Sequence, residues 1–235
     1  MISKGATSAD YDISISTYCN AACPSCKRYD NFHTTEYVNP KNVTKNLKQR
    51  NMKFDLFKKM IENNWHNFVD KFVMFEGELG DPMMNTEILK FIEYGSKVFK
   101  ELLVVTNGGI KRPDFYTKIG NEFKNVRYCF SIDGMDNEVN NIYRRNVNTV
   151  RAIDNMISYS ETKYGKFRTI WQYLIFDHNY FEVPDVLMFA KKHELKLILK
   201  INVRERFKIN QERLNYVLKI YEKYKYSNSI LIEAN

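Results

Sequence analysis

Residues 101–133 read ELLVVTNGGIKRPDFYTKIGNEFKNVRYCFSID and contain a complete strand–helix–strand unit. The runs Glu101–Thr106 and Val126–Asp133 are rich in apolar, β-branched and aromatic residues, which is typical of buried strands. Between them, Pro113–Phe123 has the apolar spacing of a helix, and Pro113 suits the first helical turn. A helix between two strands allows them to pair in parallel, because parallel neighbours need a crossover connection. This stretch therefore predicts an α/β fold.

The same alternation continues along the chain in both directions. Four more runs predict strands: Asp12–Thr17, Lys71–Phe75, Arg168–Phe176 and Lys196–Val203. Five more stretches predict helices: Phe54–Asn64, Asn85–Phe99, Val147–Lys163, Val183–Glu194 and Gln211–Tyr224. Six strands that alternate with helices predict a parallel sheet with outer helices, either an open doubly wound sheet or a partial (β/α)6 TIM-like barrel. In both, functional residues gather at the carboxyl ends of the strands.

Composition excludes several classes of protein. The 235 residues include 36 Lys and Arg against 28 Asp and Glu, a net charge of +8, and 44% are hydrophobic, which excludes disorder, collagen-like repeats and a disulfide miniprotein. No repeat or linker marks a boundary, so residues 1–235 are predicted to form one domain. The absence of a signal-like or membrane-spanning apolar run predicts a cytoplasmic protein without a membrane partner. The spread of basic residues is typical of a solvated surface, with nucleic-acid binding as the alternative.

Three of the four cysteines lie within eight residues, directly after the first predicted strand. Cys19, Cys23 and Cys26 have C-x3-C-x2-C spacing, which lets three thiolates bind three irons of a [4Fe–4S] cluster and leaves the fourth iron open. A structural zinc usually has four protein ligands, and His33 or Cys129 would have to supply the fourth. The spacing and the position after a strand favour an iron–sulfur cluster over zinc or three free thiols.

This cysteine spacing after the first strand of a (β/α)6 series resembles the radical S-adenosylmethionine (radical SAM) enzymes, and the resemblance spans most of the chain. The chain is similar to short members of unassigned function, including ones encoded by phages. The resemblance implies that the open iron binds the amino and carboxylate groups of SAM. It also implies that reduction of the cluster by an external electron donor cleaves SAM to a 5′-deoxyadenosyl radical, which abstracts hydrogen from a substrate. Ser25 departs from the family, which often has an aromatic residue before the third cysteine.

The resemblance also assigns residues at the ends of the second and third strands. Gly80 and Asp81 match the last Gly-Glu of the family's Gly-Gly-Glu-Pro element, which holds the amino group of SAM, and Glu76 or Glu78 is an alternative. The third strand ends in Thr-Asn-Gly as in the family, and Asn107 would present its amide to the mouth of the barrel. Taken alone, Gly-Asp-Pro and Asn-Gly are also ordinary turn sequences.

The fourth predicted strand carries polar residues on one face. Alternation places Cys129, Ser131 and Asp133 together, and buried polar groups need hydrogen-bond partners. The family has a similar Ser-Ile-Asp-Gly segment around SAM, so Ser131 is assigned to the ribose or carboxylate of SAM. Asp133 contacts SAM or caps the following segment. Cys129 is a candidate hydrogen-atom donor to a substrate radical, with a small buried core residue as the alternative.

Further candidates follow the fourth strand and lie on the last predicted strand. Arg144 lies where related enzymes keep an arginine that pairs with the SAM carboxylate, and a guanidinium fork suits a carboxylate. The alternative is a pair of solvent-exposed arginines, Arg144 and Arg145. The resemblance makes Asn202 a candidate for contacts with adenine. Lys200, Asn202 and Arg204 share one face by alternation and would receive an anionic group of the substrate.

The substrate class stays open among a peptide or protein, a nucleotide and a small metabolite. Two other functions also stay open: a zinc module with a basic surface that binds nucleic acid, and an iron–sulfur protein that senses or transfers electrons without SAM. Neither gives a role to the polar strand ends. Cys129 is the only cysteine outside the C-x3-C-x2-C group, too few for a second [4Fe–4S] cluster with a full set of thiolates.

Overall fold

The computed structural model of the chain describes residues 9–29, 47–77, 79–202 and 208–234. Within these ranges, seven strands form one parallel sheet in chain order. Their bounds are β1 Tyr11–Asp12, β2 Phe72–Phe75, β3 Glu101–Thr106, β4 Val126–Ser131, β5 Thr169–Ile175, β6 Lys196–Asn202 and β7 Ser229–Ala234. Every adjacent pair is parallel, so the predicted parallel α/β sheet is confirmed.

The helices of the described ranges connect successive strands. They are α1 Phe54–Asn63, α2 Trp65–Phe68, α3 Ile88–Val98, α4 Pro113–Glu122, α5 Asn137–Tyr143, α6 Thr149–Ser160, α7 Val183–Lys192 and α8 Gln211–Tyr224. Short 3-10 turns lie at Pro82–Met84 and Tyr180–Glu182. None of the helices in these ranges has the length and apolar character needed to cross a bilayer.

The two faces of the sheet carry different sets of side chains. Tyr128 and Phe130 of β4 belong to the main core, which they share with helix residues such as Phe57 and Ile119. The other face carries a small apolar layer, which consists of Met74, Leu103, Cys129, Ile170 and Ile198. Period-two alternation explains why neighbours in sequence divide between the two layers. The strands are therefore buried on both sides, which accounts for their continuous apolar runs.

The first predicted strand, Asp12–Thr17, is wrong in its bounds. The strand β1 ends at Asp12, and after it the chain turns to pair with the segment before α1. Ser16 bridges Asn51 in antiparallel sense, and the backbone NH of Met52 donates to the carbonyl of Ile15 at 2.9 Å. Residues 15–17 of this stretch do pair in an extended conformation, but with residues 50–52, whose sequence has no strand pattern.

Three further differences concern helices and the end of the sheet. The helix α3 starts three residues later than predicted, because the side chain of Asn85 instead donates to the carbonyls of Ile15 at 2.8 Å and Met52 at 3.0 Å. The asparagine-rich helix α5 was not predicted; Asp136 caps it by accepting from the NH of Val139 at 2.8 Å. The strand β7 was not predicted either, because it lies at the edge of the sheet, where β6 is its one partner among the described strands.

Adjacent residues of α1 test the main core. Phe57 is fully buried among other aromatic rings, whereas Leu56 is 61% exposed. We expect Phe57→Ala to lower the free energy of unfolding by about 3–5 kcal/mol, because it removes a large buried ring and leaves a cavity. Leu56→Ala, the matched control on the same helical turn, should change it by less than about 0.5 kcal/mol. Urea denaturation followed by circular dichroism measures both; equal losses would contradict this assignment of the core.

Candidate active site

A cavity of about 210 Å³ lies at the carboxyl ends of β2 to β5. Its lining includes Cys19, Cys23, Cys26, Arg28, Glu76, Gly80, Asp81, Asn107, Ser131, Arg144 and Gln172. The three cysteines thus share one cavity with five of the residues that the sequence assigned to cofactor binding. The parallel sheet explains this meeting, because all its carboxyl ends open on the same edge.

The loop that carries the cysteines is held by bonds to its own backbone and to the segment after α5. The NH of Ala22 donates to the carbonyl of Arg145 at 2.9 Å, and the NH of Cys26 donates to the carbonyl of Cys23 at 3.1 Å. The guanidinium of Arg28 is buried and donates to the carbonyl of Cys19 at 3.4 Å. Arg28 was not singled out from the sequence, since nothing distinguishes it there from any other polar residue of a loop.

The cysteine side chains suit a metal that neutralises them. Burial raises the pKa of the Cys19 thiol to about 12 and that of the Cys23 thiol to about 11. These thiols therefore stay protonated at neutral pH unless a cation displaces the protons, as metal binding does. Among the described residues, no group of three Cys, His, Asp or Glu side chains fits a single metal ion. Three thiols on one short loop can give one thiolate to each of three irons of a cluster, whereas a structural zinc ion usually takes four protein ligands.

Two alternatives from the sequence fall outside the described ranges. His33, the candidate fourth ligand of a zinc ion, and Glu78, the alternative to Asp81, are both outside them. The other alternative, Glu76, lines the cavity at the end of β2.

Asp81 joins the ends of β2 and β3. Its carboxylate accepts hydrogen bonds from the Thr106 hydroxyl at 3.0 Å, from the NH of Asn107 at 2.9 Å and from the NH of Met83 at 2.9 Å. Burial raises the pKa of the Asp81 carboxyl above its ordinary value, and these hydrogen bonds oppose the rise. Its backbone NH donates to the carbonyl of Tyr18 at 2.7 Å, which ties the same turn to the cysteine loop.

Position 80 requires glycine because the backbone of Ser16 packs directly against it. A Cβ atom at this position would lie 2.2 Å from the carbonyl oxygen of Ser16, a distance at which the backbone would have to shift. The sequence suggested that glycine here lets a ligand approach the backbone. The structure adds a second reason, which is the packing of this turn against the segment after β1.

Asn107 contacts the cysteine loop. Its side-chain NH2 donates to the Asn20 carbonyl oxygen at 2.7 Å and to the sulfur of Cys19 at 3.7 Å. Its own side-chain oxygen accepts from the NH of Gly109 at 2.9 Å. Asn107 therefore orients a cysteine side chain, a contact that the Thr-Asn-Gly pattern did not indicate.

Ser131 and Gln172 lie opposite each other on β4 and β5. They are partners in the register of the sheet, and the Gln172 side chain donates to the Ser131 hydroxyl at 3.3 Å. Both line the cavity. Gln172 was missed from the sequence, although a single amide in the otherwise apolar and aromatic run of the fifth strand was a signal that alternation could have used.

Arg144 is largely shielded from water and paired, so the alternative of two solvent-exposed arginines is wrong for this residue. Its side chain is 15% exposed, and its Nε atom lies 2.6 Å from Oδ2 of Asp133, which is 0% exposed. Arg144 lines the same cavity as Cys23, and its positive charge opposes the rise that burial causes in the pKa of the Cys23 thiol. Asp133 lies behind Arg144, and the cap of the following helix is Asp136 instead.

Besides Asp133, two more predicted site residues do not line this cavity. Cys129 is 1% exposed and lies in the apolar layer beneath it, so its contacts are those of a small core residue. Asn202 borders a separate cavity of about 420 Å³ beside the start of α8. The end of β6 thus opens on a different space from the ends of β2 to β5.

The comparisons with known proteins decide the family. The sequence model of the Radical SAM superfamily matches residues 13–190. This chain belongs to the radical SAM superfamily. Comparison with curated proteins gives no match.

Solved radical SAM structures share the fold. SuiB of Streptococcus suis bound to S-adenosylmethionine has a TM-score of 0.67 and 16% identity over 96% of this chain and 50% of SuiB. The structure of anSMEcpe with bound AdoMet has a TM-score of 0.61 and 16% identity over 94% and 62%. A radical SAM methyltransferase from Sphaerobacter thermophilus has a TM-score of 0.59 and 14% identity over 95% and 65%. The chain therefore spans about half to two thirds of the length of these structures.

These findings settle the class of protein. The predicted partial barrel is confirmed by the shared fold, with seven strands in place of six. The family match confirms that the chain belongs to a superfamily of enzymes that use a [4Fe–4S] cluster and SAM, and SuiB and anSMEcpe are structures with bound SAM.

A histidine beside the site predicts how stability depends on pH. His178 follows β5 and stacks on Phe176, and burial lowers its pKa from 6.5 to about 4. Between these two values the unfolded chain binds a proton that the folded chain does not, so stability falls as the pH falls through this window. We expect His178→Gln to weaken this loss between pH 7 and pH 5 in urea denaturation. The same change at the exposed His66 is the control, and identical pH profiles for wild type and His178→Gln would contradict the assignment.

Proposed function

We propose that Cys19, Cys23 and Cys26 bind the [4Fe–4S] cluster and that SAM binds beside it in the cavity at the ends of β2 to β5. The observation that carries this proposal is the convergence of all three cysteines in one cavity with polar residues at the ends of β2, β3 and β4 and with Gln172 of β5. When bound, the cluster and SAM supply a 5′-deoxyadenosyl radical that abstracts hydrogen from a substrate. The protein supplies ligands, orientation and an environment with little water.

The charge of each lining residue indicates which group of SAM it would bind. The buried carboxylate of Asp81, with the backbone of Gly80, suits the ammonium group, because a negative charge beside it offsets the loss of water. The guanidinium of Arg144 suits the carboxylate, since its fork offers several N–H donors. Ser131, with Asn107 at the neighbouring strand end, offers neutral hydrogen bonds. Asp133 acts through Arg144, and Asn202 belongs to the neighbouring cavity, where adenine contacts from β6 are still a prediction.

The substrate is proposed to carry an anionic group. Lys200 lies on the same face of β6 as Ile198 of the apolar layer. Its positive charge opposes the rise that burial causes in the pKa of Cys129 and of Asp133. Within the described ranges Lys200 forms no ion pair, which leaves its charge for a ligand. Two similar structures hold peptides, SuiB with the precursor peptide SuiA and anSMEcpe with the Cp18Cys peptide. A peptide with an acidic group is therefore the first substrate class to test.

Several sequence predictions stay predictions. They are the single domain over residues 1–235, the cytoplasmic location, the likeness to short phage-encoded members, the external electron donor and the weaker alternative of nucleic-acid binding. Cys129 as a hydrogen-atom donor also stays a prediction, and its place in the apolar layer favours the alternative of a core residue.

The first test is anaerobic reconstitution with iron and sulfide, followed by metal analysis and detection of 5′-deoxyadenosine by mass spectrometry after addition of SAM and reductant. We expect the wild type to bind about four irons per chain and to form 5′-deoxyadenosine. Cys23→Ala should lose both, because one iron loses its thiolate. Cys129→Ala is the matched control, a cysteine-to-alanine change outside the cavity, and should keep both.

Each other outcome contradicts a stated part of the proposal. Stoichiometric zinc in place of iron would overturn the cluster. Iron without any 5′-deoxyadenosine would leave an iron–sulfur protein that transfers or senses electrons. Loss of SAM cleavage in Cys129→Ala would overturn the assignment of Cys129 to the core.

A further inference from the structure

Four charged side chains lie together at the amino ends of the strands, at the opposite end of the sheet from the cavity of the cysteines. They are Glu101 of β3, Arg127 of β4, Arg168 directly before β5 and Lys196 of β6, and we call them the amino-end cluster. Each comes two residues before a member of the small apolar layer on its strand. Period-two alternation therefore puts all four on the same face of the sheet as that layer.

One carboxylate holds two of the three cations. The guanidinium groups of Arg127 and Arg168 each donate from Nη1 to the same atom, Oε1 of Glu101, at 3.3 Å. The register brings the two arginines side by side, because the residues that follow them, Tyr128 and Thr169, are partners. In the described part of the chain, Glu101 is the one side chain to which either guanidinium donates. Most N–H donors of both groups are thus available to a ligand.

Lys196 adds a third cation without a carboxylate of its own. Its side chain is partly buried and forms no ion pair or hydrogen bond with the described residues. Burial lowers the pKa of the Lys196 ammonium, the charge of Arg127 lowers it further, and the charge of Glu101 opposes this. The ammonium therefore lies close enough to both neighbours to interact with them.

The balance of charge distinguishes this cluster from a network that only closes the end of the sheet. Three cations face one carboxylate, and Arg127 is only 18% exposed, so water screens the repulsion between the cations only in part. A ligand with two negative charges would remove that repulsion. Guanidinium groups bind phosphate oxygens through pairs of N–H donors, and an ammonium adds a point charge.

We propose that the amino-end cluster is a binding site for a phosphate group. Arg127 and Arg168 donate to the phosphate oxygens, and Lys196 supplies the third positive charge. The site is separate from the one that holds the cysteines, because the apolar layer lies between the two along the strands. The inference therefore goes beyond the proposed function and does not depend on it.

The residue beside the cluster favours a nucleotide as the source of the phosphate. Phe167 directly precedes Arg168, and its side chain is 65% exposed. Its backbone has a φ of 64°, in the left-handed region that residues other than glycine rarely adopt. An exposed aromatic ring next to a phosphate site offers a surface on which a base can stack. Free phosphate is the other source, and the two share the same chemistry at the cluster.

The test is isothermal titration calorimetry of the full chain with sodium phosphate, at constant ionic strength with chloride as the balancing anion. We expect saturable binding with a dissociation constant of about 1 mM or lower. Arg168→Gln and Lys196→Gln should each weaken binding about tenfold, because each removes a charged donor. Glu101→Gln should strengthen binding, since the carboxylate competes with phosphate for the same N–H groups. Lys100→Gln is the matched control: it removes an exposed cation at the same edge and should keep the wild-type affinity.

Cytidine 5′-monophosphate, which lacks the adenine of SAM, distinguishes the two sources of phosphate. Tighter binding than that of inorganic phosphate, with the advantage lost in Phe167→Ala, would identify a nucleotide. Equal binding would identify free phosphate, and both results support the site.

Two outcomes would overturn the inference. One is the absence of saturable phosphate binding by the wild type, and the other is an unchanged affinity in both Arg168→Gln and Lys196→Gln. Lys196→Gln removes no contact of the described residues, so it covers the case in which Arg168→Gln fails to fold. Either outcome would leave the proposed function intact, because that function depends on the cysteines and on the cavity at the carboxyl ends of the strands.

Discussion

A parallel sheet in chain order imposes one constraint on this molecule, which is that every strand ends at the same edge. The cysteine loop follows β1, Asp81 follows β2, Asn107 follows β3, and Ser131 ends β4. These residues are far apart in sequence and meet in one cavity because the crossover helices return each strand in the same direction. The small apolar layer on the same face of the sheet forms the floor beneath them.

Burial then determines what the polar residues at this edge do. A carboxylate away from water needs donors, and Asp81 finds them in Thr106 and in the backbone of the next strand. Asp133 finds them in Arg144 and in the backbone of β5. In both cases an acidic side chain that the sequence assigned to a ligand also joins two neighbouring strand ends. The site and the upper edge of the fold are therefore held together by the same hydrogen bonds.

Features that depend on residues close together in the sequence could be predicted, whereas features that depend on contacts between distant segments could not. Strands β2 to β6 were recognisable because their apolar runs reflect local burial on both faces. The first strand was predicted too long, since the chain after Asp12 pairs with residues 50–52, a contact between distant segments. The strand β7 lies at an edge of the sheet and the helix α5 is rich in asparagine, so neither has a strong pattern of its own. Arg28 lies in the site through contacts that no spacing in the sequence indicates, whereas the alternation of the fifth strand could have identified Gln172.

The sequence by itself determined the class of fold, the cysteine motif and the family, because strand–helix alternation and the spacing of metal ligands are properties of short segments. It also identified most of the residues that line the cavity, since alternation and strand ends locate them. Only the tertiary structure decided that Arg144 pairs with Asp133, that Asn107 contacts the cysteine loop, and that Cys129 lies below the cavity. Those facts depend on which side chains meet across neighbouring strands and loops. Burial strengthens the hydrogen bonds between such side chains, but these contacts produce no pattern in the sequence of either segment.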